Sequence, residues 1–222
     1  MKLSEEMKNK TLLSFELFPP KTEKGLQKLP GTIDHLMKYN PSYISCTYGA
    51  GGGNVGANRE VCQMIKNAGT TPVTHFTVIK NTKEGIKEQL DQYLADGVDH
   101  MLALRGDIPL GETTTCGDFD YATDLVKFVR DTYGDKFEIA VAGSPEGHIS
   151  CRSLESDIAV LKQKQDNGAD YIMTQLCWDM EQFKYWLDAI RKAGVTMPVD
   201  VGVMPILDQA ATINMALSRN GC

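Results

Sequence analysis

The sequence predicts an α/β protein built from strand–helix units that repeat along one chain. Apolar runs of strand length alternate with amphipathic stretches of helix length, and glycine follows several of the amphipathic stretches. The apolar runs at 100–104 and 137–142 are nearly continuous, which is typical of strands covered on both faces in a parallel sheet. Units of this kind place helices on the faces of such a sheet.

The predicted elements alternate strictly along the chain. Strands are expected at 11–18, 42–48, 72–79, 99–105, 137–143, 170–175 and 199–204. Helices are expected at 24–38, 57–68, 83–96, 121–133, 152–167, 180–192 and 208–219. The first strand has to end at Pro19 and Pro20, because proline cannot donate a ladder hydrogen bond.

Capping residues support the helix boundaries. Asn81 stands three residues before Glu84, close to a capping-box pattern. Asp179 stands in the same relation to Gln182. Glycine, which suits the positive φ of a helix C-terminus, follows four of the predicted helices, at Gly69, Gly97, Gly168 and Gly194.

Repeated units of this type form either a doubly wound open sheet or a (β/α)8 TIM barrel. The chain contains seven units of roughly 30 residues each, and one more would complete a barrel. We therefore expect a single (β/α) barrel catalytic domain over residues 1–222 that apparently lacks the eighth unit. A barrel without one strand exposes two sheet edges, so we expect either a longer polypeptide or a partner chain that covers the gap.

Composition argues against several classes of function. The 222-residue chain is 42% apolar and 23% charged, as in an ordinary globular protein, and its net charge is −6. An acidic chain without a basic stretch does not favour nucleic acid or an anionic membrane as a partner. Its N-terminus is polar and no run has the length of a membrane span, so we expect a cytoplasmic protein.

The six cysteines do not match a metal-binding pattern. They stand at 46, 62, 116, 151, 177 and 222, without a C-x-x-C pair. We expect reduced thiols, as in a cytosolic protein. A metal site built instead from Glu16, His75, Asp107 and His148 is not expected either.

Glu16 is the most informative residue of the sequence. It lies in the run 14–20, Ser-Phe-Glu-Leu-Phe-Pro-Pro, at the C-terminal end of the first predicted strand, where parallel α/β proteins gather their chemistry. A carboxylate flanked by Phe15, Leu17 and Phe18 is costly to bury, so its pKa should rise into the range of a general acid or base. The alternative is a structural glutamate paired with a buried arginine.

Further polar residues stand near the ends of the other predicted strands. They are Thr47, His75, Arg105, Asp107, His148 and Gln175. Arg105 and Asp107 flank Gly106 and form either an internal ion pair or a ligand site. In the second case Arg105 provides a cation for phosphate, and Asp107 a carboxylate for the donor groups of a ligand.

Several of these residues also have a purely structural interpretation. His75 is compatible with a satisfied core histidine, and His148 with a surface histidine. Gln175 is either a buried structural amide or an amide that contacts a ligand. Asp157 and Lys164, two helical turns apart in the helix at 152–167, are compatible with a solvated, ion-paired face.

A glycine-rich run follows the second predicted strand. Gly51, Gly53 and Gly56 formally match the G-x-G-x-x-G dinucleotide fingerprint, which requires an acidic residue about 20 positions further on. Residues 75–80 contain none. We interpret the run as a flexible loop that lets the backbone approach a flat ligand.

Seven short segments stand in an order that is typical of one enzyme family. They are SFELFPP at 14–20, TYGA at 47–50, the strand around His75, ALRGDIP at 103–109, YA-x-DLV at 121–126, PE-x-H at 145–148 and I-x-TQ at 172–175. In these segments the chain resembles the methylenetetrahydrofolate reductase family. The resemblance runs from residue 11 to about residue 205.

The resemblance implies a (β/α)8 barrel that carries FAD and reduces 5,10-methylenetetrahydrofolate to 5-methyltetrahydrofolate, with NADH or NADPH as the electron donor. It implies that Glu16 is the general acid and that Asp107 is a second catalytic residue, which contacts the pterin and influences the flavin. Substrate would be bound by Gln175, Asp107 and Thr47, the last near the nicotinamide donor. The implied FAD-binding residues are Tyr48, Ala50, His75, Arg105, Gly106, Asp107, Tyr121, Ala122, His148, Asp157 and Lys164.

The chain departs from the family pattern after Pro205. Ala211 stands where the family places a second substrate-reading glutamine, and the eighth strand with its substrate-binding arginine is absent from the sequence. Because some family members work with an accessory subunit, we expect either a homo-oligomer or such a subunit. Two other functions stay open: a flavin-free pterin-binding methyltransferase barrel and a non-catalytic subunit of a one-carbon complex.

Overall fold

The computed structural model describes residues 2–20, 22–48, 55–108 and 111–216. Its strands are β1 Ser14–Leu17, β2 Tyr43–Cys46, β3 Thr71–Thr77, β4 His100–Leu104, β5 Glu138–Gly143, β6 Tyr171–Thr174 and β7 Val199–Asp200. Its helices are α1 Leu3–Met7, α2 Glu23–Met37, α3 Val55–Asn67, α4 Lys83–Ala95, α5 Ala122–Tyr133, α6 Leu154–Asp166, α7 Met180–Lys192 and α8 Gln209–Ala216. A short 3₁₀ turn, Gly134–Lys136, follows α5.

The strands form one parallel sheet in the order of the chain, from β1 to β7. The sheet curls so far that the Asp200 carboxylate on β7 accepts hydrogen bonds from the hydroxyl groups of Ser14 on β1, at 3.2 Å, and Tyr43 on β2. The predicted architecture is confirmed as a TIM-barrel-like α/β fold, with helices that alternate with the strands. In the part of the chain that the structure describes, β1 and β7 are the two edges of the sheet.

Side chains alternate between the inside of the curled sheet and its helix-covered outside, as the pleat of a strand requires. An inner cluster consists of Leu3, Tyr43, Val73, Leu102, Ala140 and Tyr171. A larger outer cluster fills the space between strands and helices and includes Ile44, Phe76, Met101, Ile139 and Ile172. Most strands are therefore buried on both faces, which explains their continuous apolar sequences.

Every strand is shorter than the sequence predicts, and β1 and β7 lose the most residues. β1 covers 14–17 rather than 11–18, and β7 covers 199–200 rather than 199–204. Both are edge strands, which have a ladder partner on one side only. Apolar composition does not show where such a one-sided ladder ends.

The helix-end predictions are confirmed with one exception. A positive φ is found at the glycines that follow helices, at Gly69, Gly97, Gly168 and Gly194. Asp179 caps α7 through its side chain. Asn81 does not cap α4, because Thr82 accepts the hydrogen bond from the Gly85 N–H at 3.1 Å. The Asn81 side chain donates instead to the Thr77 carbonyl oxygen at 3.1 Å.

The short helix α1, which the sequence did not predict, closes the amino-terminal end of the curled sheet. Its Leu3 and Ser4 N–H groups each donate to the Glu138 carboxylate at 2.7 Å. His100 Nε2 lies 3.0 Å from the same carboxylate, and its Nδ1 lies 2.6 Å from Asp99. Glu138, which is buried, therefore ties α1 to β4 and β5.

These contacts shift two pKa values in opposite directions. Burial alone would raise the pKa of Glu138, but hydrogen bonds from His100, Ser4 and Leu3 outweigh it and lower the pKa to about 2. Burial alone would lower the pKa of His100, but Asp99 and Glu138 outweigh it and raise the pKa to about 9. Both groups are charged at neutral pH, and each stabilises the other.

The variant Glu138→Gln should lower the free energy of unfolding by about 3 kcal/mol, because it removes one charge of a buried pair and leaves the other unpaired. Urea denaturation at pH 7 measures this loss. Glu181, which pairs with Lys184 on the exposed side of α7, provides the matched control. Glu181→Gln should cost less than about 1 kcal/mol, and equal losses in both variants would contradict the role of Glu138.

The same pair gives the wild-type protein a defined pH dependence. The folded pKa of Glu138 lies below its ordinary value of 4.5, so its contribution is present above pH 4.5 and is lost as the pH falls towards 2. The folded pKa of His100 lies above 6.5, so its contribution is present below pH 6.5 and is lost as the pH rises through about 9. Unfolding measured across this range should show less pH dependence at both ends in Glu138→Gln than in the wild type.

Candidate active site at the carboxyl ends of the strands

The Glu16 side chain faces the inside of the curled sheet. It lies level with Ser45 of β2, whereas Phe15 and Leu17 pack against the outer cluster. Phe18 is 67% exposed. The predicted burial of Glu16 between these three apolar residues is therefore wrong, because neighbours in a strand point to the opposite face. The Glu16 side chain is 45% exposed. It lies at the open end of the curled sheet where the carboxyl ends of the strands meet, which we call the mouth.

The pKa of Glu16 is nevertheless raised, as the sequence predicts. The cause is desolvation inside the curled sheet rather than the flanking side chains. In the described part of the chain, the one basic side chain within 4.0 Å of this carboxyl group is His75, whose Nε2 lies 3.6 Å from Oε2. The alternative interpretation, a glutamate paired with a buried arginine, is not observed among the residues that the structure describes.

His75 projects from β3 towards Glu16. It is 7% exposed, and its Nε2 atom is buried without a hydrogen-bond partner among the described residues. Burial lowers the pKa of its imidazole to about 4, so the ring is neutral at neutral pH. His75 is therefore not a core histidine whose hydrogen bonds are all satisfied, which was the structural alternative. The mouth thus brings a neutral imidazole against a carboxyl group whose pKa is raised.

Thr47 and Tyr48 follow β2 and make different contacts. The Thr47 N–H donates to the Leu17 carbonyl oxygen at 2.9 Å, which ties the end of β2 to the end of β1. The Tyr48 side chain is buried in the outer cluster, and its hydroxyl group donates to Gln89 on α4 at 2.5 Å. Ala50 and the glycine run around it lie outside the described residues.

Asn58, which the sequence analysis did not single out, anchors the end of β2. Its Nδ2 donates to the carbonyl oxygens of Cys46 and Thr47 at 3.0 and 3.1 Å. Its Oδ1 accepts from the hydroxyl groups of Thr74 at 2.8 Å and Tyr93 at 2.6 Å. The residue is fully buried.

The sequence contains a signal for Asn58. Its helical spacing to Val61, Cys62 and Ile65 places it on a buried apolar face. A polar amide on such a face requires partners, and here it links α3 to β2, β3 and α4.

Gly106 lets the backbone after β4 pass close to β3. Its φ is +85°, and a Cβ atom there would lie 3.1 Å from the Cβ atoms of Thr77 and Ile79. Both facts require glycine. Arg105 before it donates from Nε to the Gly106 carbonyl oxygen at 3.3 Å, and Asp107 follows it as a half-buried residue.

Four of the residues that the resemblance assigns to FAD come together beyond β4 and β5. The Lys164 Nζ donates to the Ala142 carbonyl oxygen on β5 at 2.9 Å. The Asp157 carboxylate accepts the His148 N–H at 3.3 Å. Desolvation lowers the pKa of the His148 imidazole, the charges of Arg105 and Lys164 lower it further, and Asp157 opposes them.

This cluster is not the solvated ion-paired face that was the alternative for Asp157 and Lys164. Lys164 is half-buried, and burial lowers the pKa of its ammonium group against the opposing charges of Asp157 and Cys151. The Cys151 thiol donates to Asp157 at 3.6 Å. The charges therefore lie inside a wall of the mouth, where they act strongly on a ligand.

The remaining predicted site residues lie at the same end of the sheet. Gln175 directly follows β6 and is exposed, so the buried structural amide is not observed. Its side-chain oxygen accepts the Leu176 N–H at 3.0 Å. Tyr121 is 61% exposed and precedes Ala122, the first residue of α5.

Two negative findings apply to the described ranges. No group of three or more His, Cys, Asp or Glu side chains is arranged to hold a metal ion. No helix in those ranges is both long enough and apolar enough to cross a membrane.

A curled parallel sheet with polar groups gathered at the carboxyl ends of its strands defines a TIM-barrel-like α/β protein with one ligand-facing end. Comparison with known proteins makes this specific. The family model described as methylenetetrahydrofolate reductase matches residues 2–218. The chain belongs to the methylenetetrahydrofolate reductase family.

Curated relatives are about one-third identical to this chain over the aligned residues. Methylenetetrahydrofolate reductase (NADH) 1 of Arabidopsis thaliana is 37% identical over 219 residues, which cover 93% of this chain and 37% of the plant protein. The 5,10-methylenetetrahydrofolate reductase of Escherichia coli K12 is 33% identical over 202 residues, which cover 90% of this chain and 67% of the bacterial protein. The chain thus spans little more than a third of its plant relatives.

Solved structures share the fold at low sequence identity. A Clostridium thermocellum protein, described as binding two copies of 5-methyl-5,6,7,8-tetrahydrofolic acid, aligns with a TM-score of 0.68 at 15% identity over 96% of this chain and 73% of its own. Phosphoenolpyruvate phosphomutase from Streptomyces platensis subsp. rosaceus aligns with a TM-score of 0.64 at 11% identity over 90% and 71% of the two chains. These likenesses show the fold alone.

Replacement of Asn58 tests whether it anchors the end of β2. Asn58→Ala should lower the free energy of unfolding by about 2–4 kcal/mol, because it leaves buried carbonyl and hydroxyl groups without a partner. Asn9→Ala is the control, since that exposed amide donates only to the Glu5 carbonyl oxygen, and it should change stability by less than about 0.5 kcal/mol. Thermal or urea unfolding compares the two, and a neutral Asn58→Ala would refute the anchor.

Proposed function

We propose that this chain is the catalytic barrel of a flavin-dependent methylenetetrahydrofolate reductase, with FAD as cofactor and NADH or NADPH as electron donor. The observation that carries the proposal is the Glu16 carboxyl group, which lies at the mouth of the sheet with a raised pKa and faces the neutral imidazole of His75. Membership of the family supports the reaction. The plant relative is named as an NADH enzyme, which supports a nicotinamide nucleotide as electron donor. The clostridial structure is described as binding 5-methyl-5,6,7,8-tetrahydrofolic acid, which supports a folate as substrate.

The residues beyond β4 and β5 fit a flavin dinucleotide. Arg105 and Lys164 would provide positive charge for its diphosphate. Gly106 would allow close approach of the backbone, because a side chain there has no room. Tyr48 fits only through its backbone, since its hydroxyl group is bonded to Gln89. The chemistry that FAD supplies when bound is hydride transfer between the nicotinamide donor and the folate.

Glu16 would supply the proton that opens the folate ring. Desolvation raises the pKa of the carboxyl group, which makes its protonated form more accessible than that of an ordinary glutamate. The carboxyl O–H bond breaks, and an N–H bond forms at the bridging nitrogen. The bond between that nitrogen and the methylene carbon opens, which leaves an iminium group on the folate and a carboxylate on Glu16. Asp107 and Gln175 would hold the pterin in place for this step.

The absorbance spectrum of the purified protein, recorded before and after anaerobic addition of 5-methyltetrahydrofolate, tests the proposal. We expect the bands of an oxidised flavin and their bleaching by the folate. A colourless protein that binds folate but takes up no added FAD would support the methyltransferase alternative instead. In a flavin-free protein Arg105 and Lys164 would have no diphosphate to bind.

The variant Glu16→Gln should retain flavin and its reduction by the nicotinamide donor, yet lose folate reduction by about 10²-fold or more, which is the usual scale for a general acid. The isosteric amide cannot donate an acidic proton. Stopped-flow absorbance separates the two half-reactions. Glu84→Gln, at an exposed position in the first turn of α4, is the control. Normal folate turnover in Glu16→Gln would reject this assignment.

The variant Lys164→Met should weaken FAD affinity by about tenfold, because it removes a charged hydrogen-bond donor from the diphosphate site. Fluorescence titration of the flavin-free protein measures this loss. Lys162, two residues earlier on α6, pairs with Asp166 in an ordinary i,i+4 contact. Lys162→Met should therefore leave FAD affinity unchanged, and equal effects in the two variants would point to α6 stability rather than to flavin binding.

A further inference from the structure

His75 Nε2 and Glu16 Oε2 form an incomplete contact at the mouth of the sheet. The two atoms are 3.6 Å apart, just beyond hydrogen-bond distance. The nitrogen is buried and has no other hydrogen-bond partner in the described part of the chain. The Glu16 side chain is 45% exposed, so it has room to rotate towards the imidazole. An unpartnered buried nitrogen favours that rotation, because leaving it unpaired is costly.

The strand register explains how β1 and β3 come into contact across β2. Glu16 is level with Ser45, and Ser45 is level with Val73. His75 lies two residues further along β3 on the same inner face. The carboxyl group must therefore cross β2 above Ser45, which is 1% exposed and small enough to leave a path.

Within the described ranges, the other groups around the carboxyl do not provide a competing cation. Tyr43 and Cys46 on β2 interact with its charge, and burial together with neighbouring groups raises the pKa of both, so both are neutral at neutral pH. Asp200 on β7 is bonded to Tyr43. On β4, the residue level with His75 is the apolar Leu102.

We propose that His75 is a positioning residue for Glu16, and that its neutral imidazole donates from Nε2–H to Oε2 and holds the carboxyl group in place for proton transfer. This inference rests on the proposed function and deepens it. The proton that leaves is on the other oxygen, Oε1, which is free to face the mouth. As that O–H bond breaks, the Nε2–H bond stabilises the carboxylate that remains. His75 gains and loses no proton.

A neutral donor suits this task better than a cation. A lysine or arginine at the same distance would counteract the raised pKa of Glu16, because an adjacent positive charge lowers a carboxyl pKa. A neutral imidazole fixes the geometry and favours the carboxylate only modestly. The burial of His75, which prevents its protonation, is therefore part of the arrangement.

Infrared titration of Glu16 tests the proposal without folate and without reference to turnover. The carboxyl C=O stretching band that disappears in Glu16→Gln reports protonation of this group. His75→Leu should move its midpoint upward by about one pH unit, a tenfold change in the acid dissociation constant, because the carboxylate loses its donor. His75→Gln, which keeps an N–H donor of similar reach, should restore most of the wild-type midpoint.

Thr77→Val is the matched control. Thr77 is buried on the same face of β3, and its hydroxyl oxygen also lacks a hydrogen-bond partner. Its removal should leave the Glu16 midpoint in place. If Thr77→Val shifts the midpoint as much as His75→Leu does, general repacking of β3 is the cause and the proposal is overturned. Ser45→Val blocks the path above β2 and leaves His75 intact, so it should raise the Glu16 midpoint as His75→Leu does. It replaces His75→Leu in the test if His75→Leu does not fold.

Two results would overturn the proposal. An unchanged midpoint in His75→Leu would show that the imidazole does not act on Glu16. A downward shift would show that Nε2 accepts the carboxyl proton rather than donating. If the protein is colourless and inactive while the midpoint shifts as expected, the function is wrong but the pairing is right. In an active enzyme, His75→Leu should slow the folate half-reaction about tenfold.

Discussion

The alternation of side chains across a curled parallel sheet is the constraint on which the rest of the structure depends. Each strand contributes alternate residues to an inner and an outer set, and the parallel register carries this division from strand to strand. On β1 it sends Glu16 inward and its aromatic neighbour Phe15 outward. After β2 it sends the Tyr48 side chain into the outer core. A shift of one residue would exchange the two sets and place the carboxyl group under the helices.

The sequence predicts the fold well because its signals are local. Apolar runs and helix-capping glycines identify the units, and repeated units specify a parallel sheet. The sequence is a poorer guide to elements whose stabilising contacts come from residues far away along the chain. Helix α1 is held by a carboxylate about 135 positions away, and no periodic pattern shows this. The two edge strands were overestimated for a related reason, because the length of a ladder depends on a neighbour.

The site could be predicted in outline but not in detail. Glu16 and His75 stand near strand ends, so their convergence follows from topology alone. The reason given for the raised pKa of Glu16 was wrong, because composition does not say which face of a strand each neighbour occupies. Asn58 was missed although its helical spacing to buried apolar residues was visible. A polar residue at such a position joins elements that the linear pattern treats separately.

Two carboxyl groups inside the same sheet show how stability and reactivity are kept apart. At the amino-terminal end, Glu138 accepts two backbone N–H groups and faces His100, and its pKa falls to about 2. At the carboxyl end, no described residue provides such a donor within hydrogen-bond distance of Glu16, and desolvation raises its pKa. Different surroundings thus shift the pKa of one residue type in opposite directions, a common basis of acid catalysis. The fully partnered Glu138 carboxylate stabilises the curled sheet, and the raised pKa of the poorly partnered Glu16 suits the proton donor that we propose.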